Sequence, residues 1–159
     1  MSRRWKGLAV LGVLLSIVGW YAFRPERAFI TRRVDESPPS ANAIVLARGE
    51  FVSRAHDGHG TAQLLRLGDG QRVLRLSAFG TLNGPDLQVY LLGDGSASSR
   101  SDLQTAGYLS LGALKGNAGD QNYAIPADAD LTRYRAVSVW CRRFGVNFTT
   151  APLAPPAGS

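Results

Sequence analysis

Apolar and polar positions divide this chain into two unlike parts. From Gly7 to Phe23 (GLAVLGVLLSIVGWYAF) no charge interrupts 17 residues, which predicts a helix of roughly 25 Å at 1.5 Å per residue. Residues 24–36 place Phe29, Ile30 and Val34 at roughly helical spacing and predict a short juxtamembrane helix, broken by Ser37-Pro38-Pro39-Ser40. From about Ile44 to Leu153 the pattern becomes short alternating runs with turn signals between them, the signature of strands. Runs 60–67 and 71–79 flank Gly68-Asp69-Gly70, a strong hairpin signal, with Leu74, Leu76 and Ala78 on the core side. Asn83-Gly84-Pro85-Asp86 reads as a turn into the alternating run 87–91. Residues 93–99 read as a flexible loop, 114–123 as a glycine-rich polar loop and 130–134 as a corner.

The run 134–148 breaks phase. Val137, Val139 and Cys141 share one parity, whereas Phe144, Val146 and Phe148 share the other. Both sets reach the core only if the chain slips by one residue, which predicts a β-bulge near Arg142-Arg143. The pattern as a whole predicts an all-β domain, an antiparallel β-sandwich of jelly-roll or barrel-like form, preceded by one N-terminal transmembrane helix. The corresponding organisation is a basic tail and anchor over 1–23, a juxtamembrane segment and linker over 24–46, the β domain over 47–153, and a flexible tail over 154–159.

Composition agrees with one domain. The chain has 159 residues, 45% of them apolar, with 18 glycines and 8 prolines for many turns. Its net charge of +6 would suit nucleic acid, but residues 1–39 carry +4 of it and the remainder only +2. Basicity therefore flanks the apolar run and forms no stripe on the domain, so no nucleic-acid partner is expected. Lys6 and Arg24 can snorkel, and Trp5, Trp20 and Tyr21 stand where interfacial aromatics belong. No small-x-small site and no lipidatable cysteine follows the run, which favours an uncleaved single-pass anchor with membrane lipid as its partner. Basic residues on the two sides do not decide orientation. A very short tail before a long domain favours export, placing the C-terminal domain outside the cytoplasm.

Cys141 is the only cysteine, so it has no intramolecular disulfide partner and cannot run an internal dithiol cycle. Two readings stand side by side: a small buried hydrophobe, or a thiol activated by Arg142 and Arg143. His56 and His59 form a His-x-x-His pair around Asp57, yet no third and fourth metal ligand lies nearby. The only methionine is Met1, so a haem would need axial ligands from histidine or cysteine. His56 and Trp140 are candidate cofactor contacts, although no cofactor is named by the residues. Asn83, Asp86, Lys115, Asn117, Gln121 and Asn122 lie in loops that could hold a ligand or an envelope protein. No P-loop and no Ser/His/Asp or paired-carboxylate arrangement is present, so a stand-alone enzyme is not expected.

These landmarks resemble the DM-thirteen domain, the module found beside DOMON domains in Skeletor-type proteins and also as a membrane-anchored bacterial form. The resemblance begins with Gly49-Glu50-Phe51, His56, Gly60 and Ala62, and continues through Val73-Leu74-Arg75-Leu76 and Phe79. Next come Asn83-Gly84-Pro85-Asp86-Leu87, Val89-Tyr90-Leu91, Leu114-Lys115-Gly116-Asn117 and Gln121-Asn122-Tyr123. Val139-Trp140-Cys141, Phe144, Phe148 and Ala151-Pro152-Leu153 close it. It implies a β-sandwich-like domain with a redox or electron-transfer role, Cys141 as its redox residue, and an extracytoplasmic setting with an envelope redox partner. His56 falls on the family pattern, while His59 lies in a variable spacer. The competing readings are a non-catalytic binding or adhesion module and a metal or haem binder centred on His56.

Overall fold

The alternating runs pair into two five-stranded sheets in the computed structural model, which describes residues 3–23 and 30–156. The elements are α1 (Arg3–Phe23), β1 (Arg33–Asp35), β2 (Ile44–Glu50), β3 (Val52–Ser53), β4 (Gly58–Arg66), β5 (Arg72–Thr81), β6 (Leu87–Leu92), α2 (Arg100–Ala106), β7 (Tyr108–Ala113), β8 (Ala118–Ile125), β9 (Ala136–Cys141) and β10 (Val146–Pro152). The first sheet has the order β1-β8-β5-β4-β2 and the second β3-β10-β9-β6-β7. Only the short β1–β8 pair is parallel among those described; the rest are antiparallel. This is the expected sandwich.

Leu74, Leu76, Val89, Leu91, Val137 and Val139 point between the sheets and are fully buried. A second, smaller core lies outside the second sheet, where Tyr90, Leu92, Ala136 and Trp140 are covered by Ala97 and by Leu103 of α2. Nothing in the apolar pattern predicts α2, which is only 7 residues long. Its start is nonetheless encoded locally. Ser99 accepts from the Asp102 N–H and Asp102 accepts from the Ser99 N–H, a capping box. Bonds from the Ser99 and Ser98 N–H groups hold the Asp102 carboxyl down at about 2.

Four expectations outside α1 are corrected. Residues 24–29 lie outside the described residues, but Arg33–Asp35, read as helix, is a strand pairing with β8. Three residues at helical spacing are too short a window to separate the two periods. The polar loop 114–123 shrinks, because Ala118–Ile125 forms β8 and lies between β1 and β5. The hairpin at 68–70 forms, with the Leu67 N–H donating to the Gln71 carbonyl at 2.8 Å. Ala78, however, turns outward. A bulge between Leu76 and Phe79 gives Ala78 a φ of 47° and rotates Phe79 into the core. Strand β4 bulges at the same level, at Gly60, where an added Cβ would stand 2.7 Å from the Ala78 carbonyl oxygen. Only glycine fits there.

The fourth correction concerns the phase break. Residues 142–145 are the turn of a β9–β10 hairpin, with the Gly145 N–H donating to the Cys141 carbonyl at 2.8 Å. The extra residue lies farther on, between Asn147 and Thr149, so Phe148 is the bulged one. Phe144, at the turn, is exposed. The C-terminal segment is also held at its start, since Arg48 and Ala154 exchange backbone hydrogen bonds at 2.8 and 2.9 Å.

The uncharged run is helical throughout as part of α1, 21 residues long. Among the described residues, however, no helix is long and apolar enough to cross a membrane. Arg3, Arg4 and Lys6 occupy its first turns. The uncharged residues of α1, Gly7 to Phe23, then span roughly 25 Å against a hydrocarbon core of about 30 Å.

The short strand β1 is fastened by charge. Buried Arg75 donates to the Glu36 carbonyl at 3.2 Å, to Asn122 Oδ1 at 3.0 Å and to the Asp120 carboxylate. Lys115 Nζ reaches Glu36 Oε1 at 2.8 Å, and the Asn122 N–H reaches Oε2 at 2.6 Å. The Lys115 hydrogen bond lowers the Glu36 carboxyl from its ordinary 4.5, against the opposing pull of burial. A depressed folded value contributes stability that is present above the unfolded value and lost as pH falls through the folded one. Thermal melts across pH should therefore show this clamp weakening only below about 4.5. Glu36→Gln is expected to melt lower than wild type at neutral pH, with the gap closing on acidification. A gap independent of pH would overturn the assignment.

Candidate functional site

Cys141 closes β9, with β6 on one side and β10 on the other; Leu87 and Val146 are its register partners. Strand alternation turns it inward with Val137 and Val139, and its exposure is 0%. Its neighbour Trp140 turns outward by the same rule and is 1% exposed beneath the α2 layer. Thiol and indole thus occupy opposite faces of one strand.

The arginine after the cysteine is engaged elsewhere. Arg142 Nε donates to Asp86 Oδ2 at 2.8 Å, and the Arg142 N–H donates to the Asp86 carbonyl at 2.9 Å. Gln88 Nε2 takes the other carboxylate oxygen at 2.8 Å. The hydrogen bond to Asp86 raises the Arg142 guanidinium above its ordinary value. Arg100 Nη2 donates to the Arg142 carbonyl at 2.9 Å, which ties α2 to the turn. Arg143 is exposed in that turn.

The end of the core at Cys141 is covered by loops. Gly84, in the Asn83–Asp86 turn, lies so close that an added Cβ would stand 2.8 Å from Leu87 Cδ2 and 2.9 Å from Phe148 Cζ. The bulge frees the Phe148 carbonyl to receive the N–H groups of both Arg54 and His56 at 3.1 and 3.2 Å, while the Ala55 N–H donates to the Asn147 carbonyl at 3.1 Å. These bonds seat the His56 imidazole 4.0 Å from the Phe148 ring. Phe148 in turn packs in the same core cluster as Cys141. His59 is directed elsewhere, with its imidazole against Gly80 on β5. Among the described residues, no group of three or more His, Cys, Asp or Glu is assembled that could hold a metal ion.

The polar loop candidates all have partners within the chain. Gln121 is fully buried, donating to the Gly116 carbonyl at 2.8 Å and accepting from the Tyr123 hydroxyl at 2.7 Å. Burial pushes the Tyr123 phenol up to about 12. Asn117 Nδ2 donates to the Thr81 carbonyl at 3.0 Å and its Oδ1 accepts from the Arg32 N–H at 2.7 Å. Asn122 joins Arg75 to Ser37, and Lys115 holds Glu36. Asn83 is half-buried. Missed by sequence reasoning was an open cleft of about 360 Å³ lined by Ser53, Arg54, Ser96, Ser98, Val146 and Asn147. It joins loops distant in sequence, which no local pattern reveals.

A two-sheet, largely antiparallel sandwich with one cysteine sealed in its core defines the class of module. The family model described as Electron transfer DM13 matches residues 50–153, and the chain belongs to that family. No curated protein and no solved structure matches the chain.

A thiol covered in this way is reached by a bulky reagent only when the loops or the fold open. Iodoacetamide should therefore alkylate Cys141 in native protein far more slowly than in urea-unfolded protein, as read by mass spectrometry. Equal rates would contradict the burial. Cys141→Ser should cost about 1–3 kcal/mol in denaturant melts, because its hydroxyl would lack a partner among apolar neighbours.

Proposed function

We propose that this protein is an electron-transfer domain in which Cys141 is the redox residue, tethered to a membrane by α1 and facing an extracytoplasmic redox partner. The observation that carries the reading is the position of the sole cysteine: inside the region matched by an electron-transfer family, at the last residue of a central strand. Its burial shapes the chemistry. Thiol–disulfide exchange requires a second sulfur to approach along the S–S axis, and bulk oxidants require access. Electrons tunnel through packed protein and need neither, and the proton that the thiol gives up as a thiyl radical forms leaves to water when the covering loops open. Single-electron exchange is thus the form of thiol redox chemistry best suited to this site.

Support for the tether comes from α1 itself. Leu8, Val13, Leu15, Ile17, Val18 and Trp20 are all exposed, on every side of the helix. A helix apolar all round needs lipid or protein around it. A span shorter than the bilayer core can be accommodated by thinning of the lipid and snorkelling of flanking cations.

The test is protein-film voltammetry of the full chain. Cys141→Ala should remove the thiol-centred response while costing only about 1 kcal/mol of stability, so that the variant stays folded. A folded Cys141→Ala protein with an unchanged response would end this reading. It would favour the alternative of a binding module, for which the 360 Å³ cleft beside Arg54 supplies a concave surface.

A further inference from the structure

The outer face of the second sheet carries three aromatic rings in sequence from its centre to its edge. Trp140 pairs in register with Gln88 and Ser138 with Tyr90, so Trp140 and Tyr90 are diagonal neighbours on one face of β9 and β6. Aromatic side chains at that spacing reach each other, and both lie in one buried cluster. Tyr90 pairs with Ser110 and Leu92 with Tyr108, which repeats the diagonal step across β6 and β7. The Tyr90 and Tyr108 rings stand 4.8 Å apart. Exposure rises along the series from 1% at Trp140 and 3% at Tyr90 to 46% at Tyr108. The inner end is the residue joined by a peptide bond to Cys141.

We propose that Trp140, Tyr90 and Tyr108 form a one-electron relay between the centre of the domain and its surface, with Tyr108 as the solvent terminus. The proposal rests on the electron-transfer reading and names its route. A one-electron oxidant takes an electron from the Trp140 indole and leaves a radical cation. Tyr90 refills Trp140, Tyr108 refills Tyr90, and the Tyr108 phenol releases its proton to water as a neutral tyrosyl radical forms. The net change is one electron to the oxidant and one proton to water; the Tyr108 O–H is the only bond broken. A one-electron reductant meeting Tyr108 then restores the phenol with a proton from water.

Environment sets the direction. Tyr90 is buried and its phenol is raised above the ordinary value by desolvation, so it keeps its proton and carries the positive hole only as a short-lived radical cation. Tyr108 alone of the three meets water substantially. The oxidising equivalent therefore passes through Tyr90 and rests at Tyr108.

The experiment is laser flash photolysis of the full chain in detergent, carrying Trp5→Phe and Trp20→Phe so that Trp140 is the only indole. Excitation at the red edge of indole absorption ejects an electron from Trp140 directly, without a diffusing oxidant. The indolyl-radical absorption should decay as tyrosyl absorption rises. Tyr90→Phe should leave the indolyl radical long-lived, and Tyr108→Phe should remove the tyrosyl product; Tyr134→Phe should change neither. Because Tyr108 is at the surface, its variant tests the relay even if Tyr90→Phe disturbs the outer core. An indolyl decay unchanged by both Tyr90→Phe and Tyr108→Phe overturns the proposal. Adding Cys141→Ala separates the two ideas: the flash kinetics depend on the relay alone, whereas the voltammetric response depends on the thiol.

Discussion

Strand β9 is buried on both faces, and much of this molecule follows from that constraint. All six of its residues are buried. A strand covered on one side can alternate apolar and polar residues, but β9 must satisfy two cores at once. Period-2 alternation sends Val137, Val139 and Cys141 to the inter-sheet core and Ala136 and Trp140 to the outer one. The polar member of the outer set, Ser138, is accommodated by hydrogen bonds to Asn147 and the Thr149 carbonyl at 2.8 and 3.3 Å. Nothing polar offsets the thiol on the inner side in the same way, and none is needed, because a thiol is itself weakly polar.

The outer core requires its own cover, and α2 with the preceding loop provides it. Its attachment is economical in residues. Leu103 and Ala97 make the apolar contact, the capping box starts the helix, and Arg100 reaches the β9–β10 turn. The opposite sheet solves a related problem with charge. Strand β1 has only three residues, too few for ladder bonds to hold a parallel edge alone. Arg75, Asp120, Lys115 and Glu36 form a connected set around it in which each charge has a partner. Such networks are favourable when every member is satisfied.

Burial of Cys141 and membership of an electron-transfer family bear on each other. Group-transfer chemistry at sulfur requires contact, whereas electron exchange requires a packed path for the electron and an exit for the thiol proton. The packing that hides the thiol is thus compatible with redox work, and it also excludes competing oxidation by small molecules in bulk water. At that end Gly84 of the Asn83–Asp86 loop lies against Leu87 and Phe148, and the backbone of Arg54, Ala55 and His56 bonds to Phe148 and Asn147. The bulge at Phe148 supplies the carbonyl that the Arg54 and His56 N–H groups share.

Period-2 alternation and turn residues were enough to read the all-β class, the 68–70 hairpin, strand β6 and the inward face of Val137, Val139 and Cys141. These are local properties, fixed by pleat geometry and by the dihedrals that glycine permits. Sequence motifs likewise carried the family. The strand character of Arg33–Asp35 and of Ala118–Ile125 escaped, because both are defined by pairing partners more than 80 residues apart in β1 and β8. Ala78 escaped because a bulge depends on the strand opposite it. The depth of Cys141, the diversion of Arg142 to Asp86 and the alignment of Trp140, Tyr90 and Tyr108 were likewise set only when β6, β7, β9 and β10 came into register. The chain alone determines which face each residue takes; the sheets decide what covers that face, because burial is a property of neighbours supplied by distant segments.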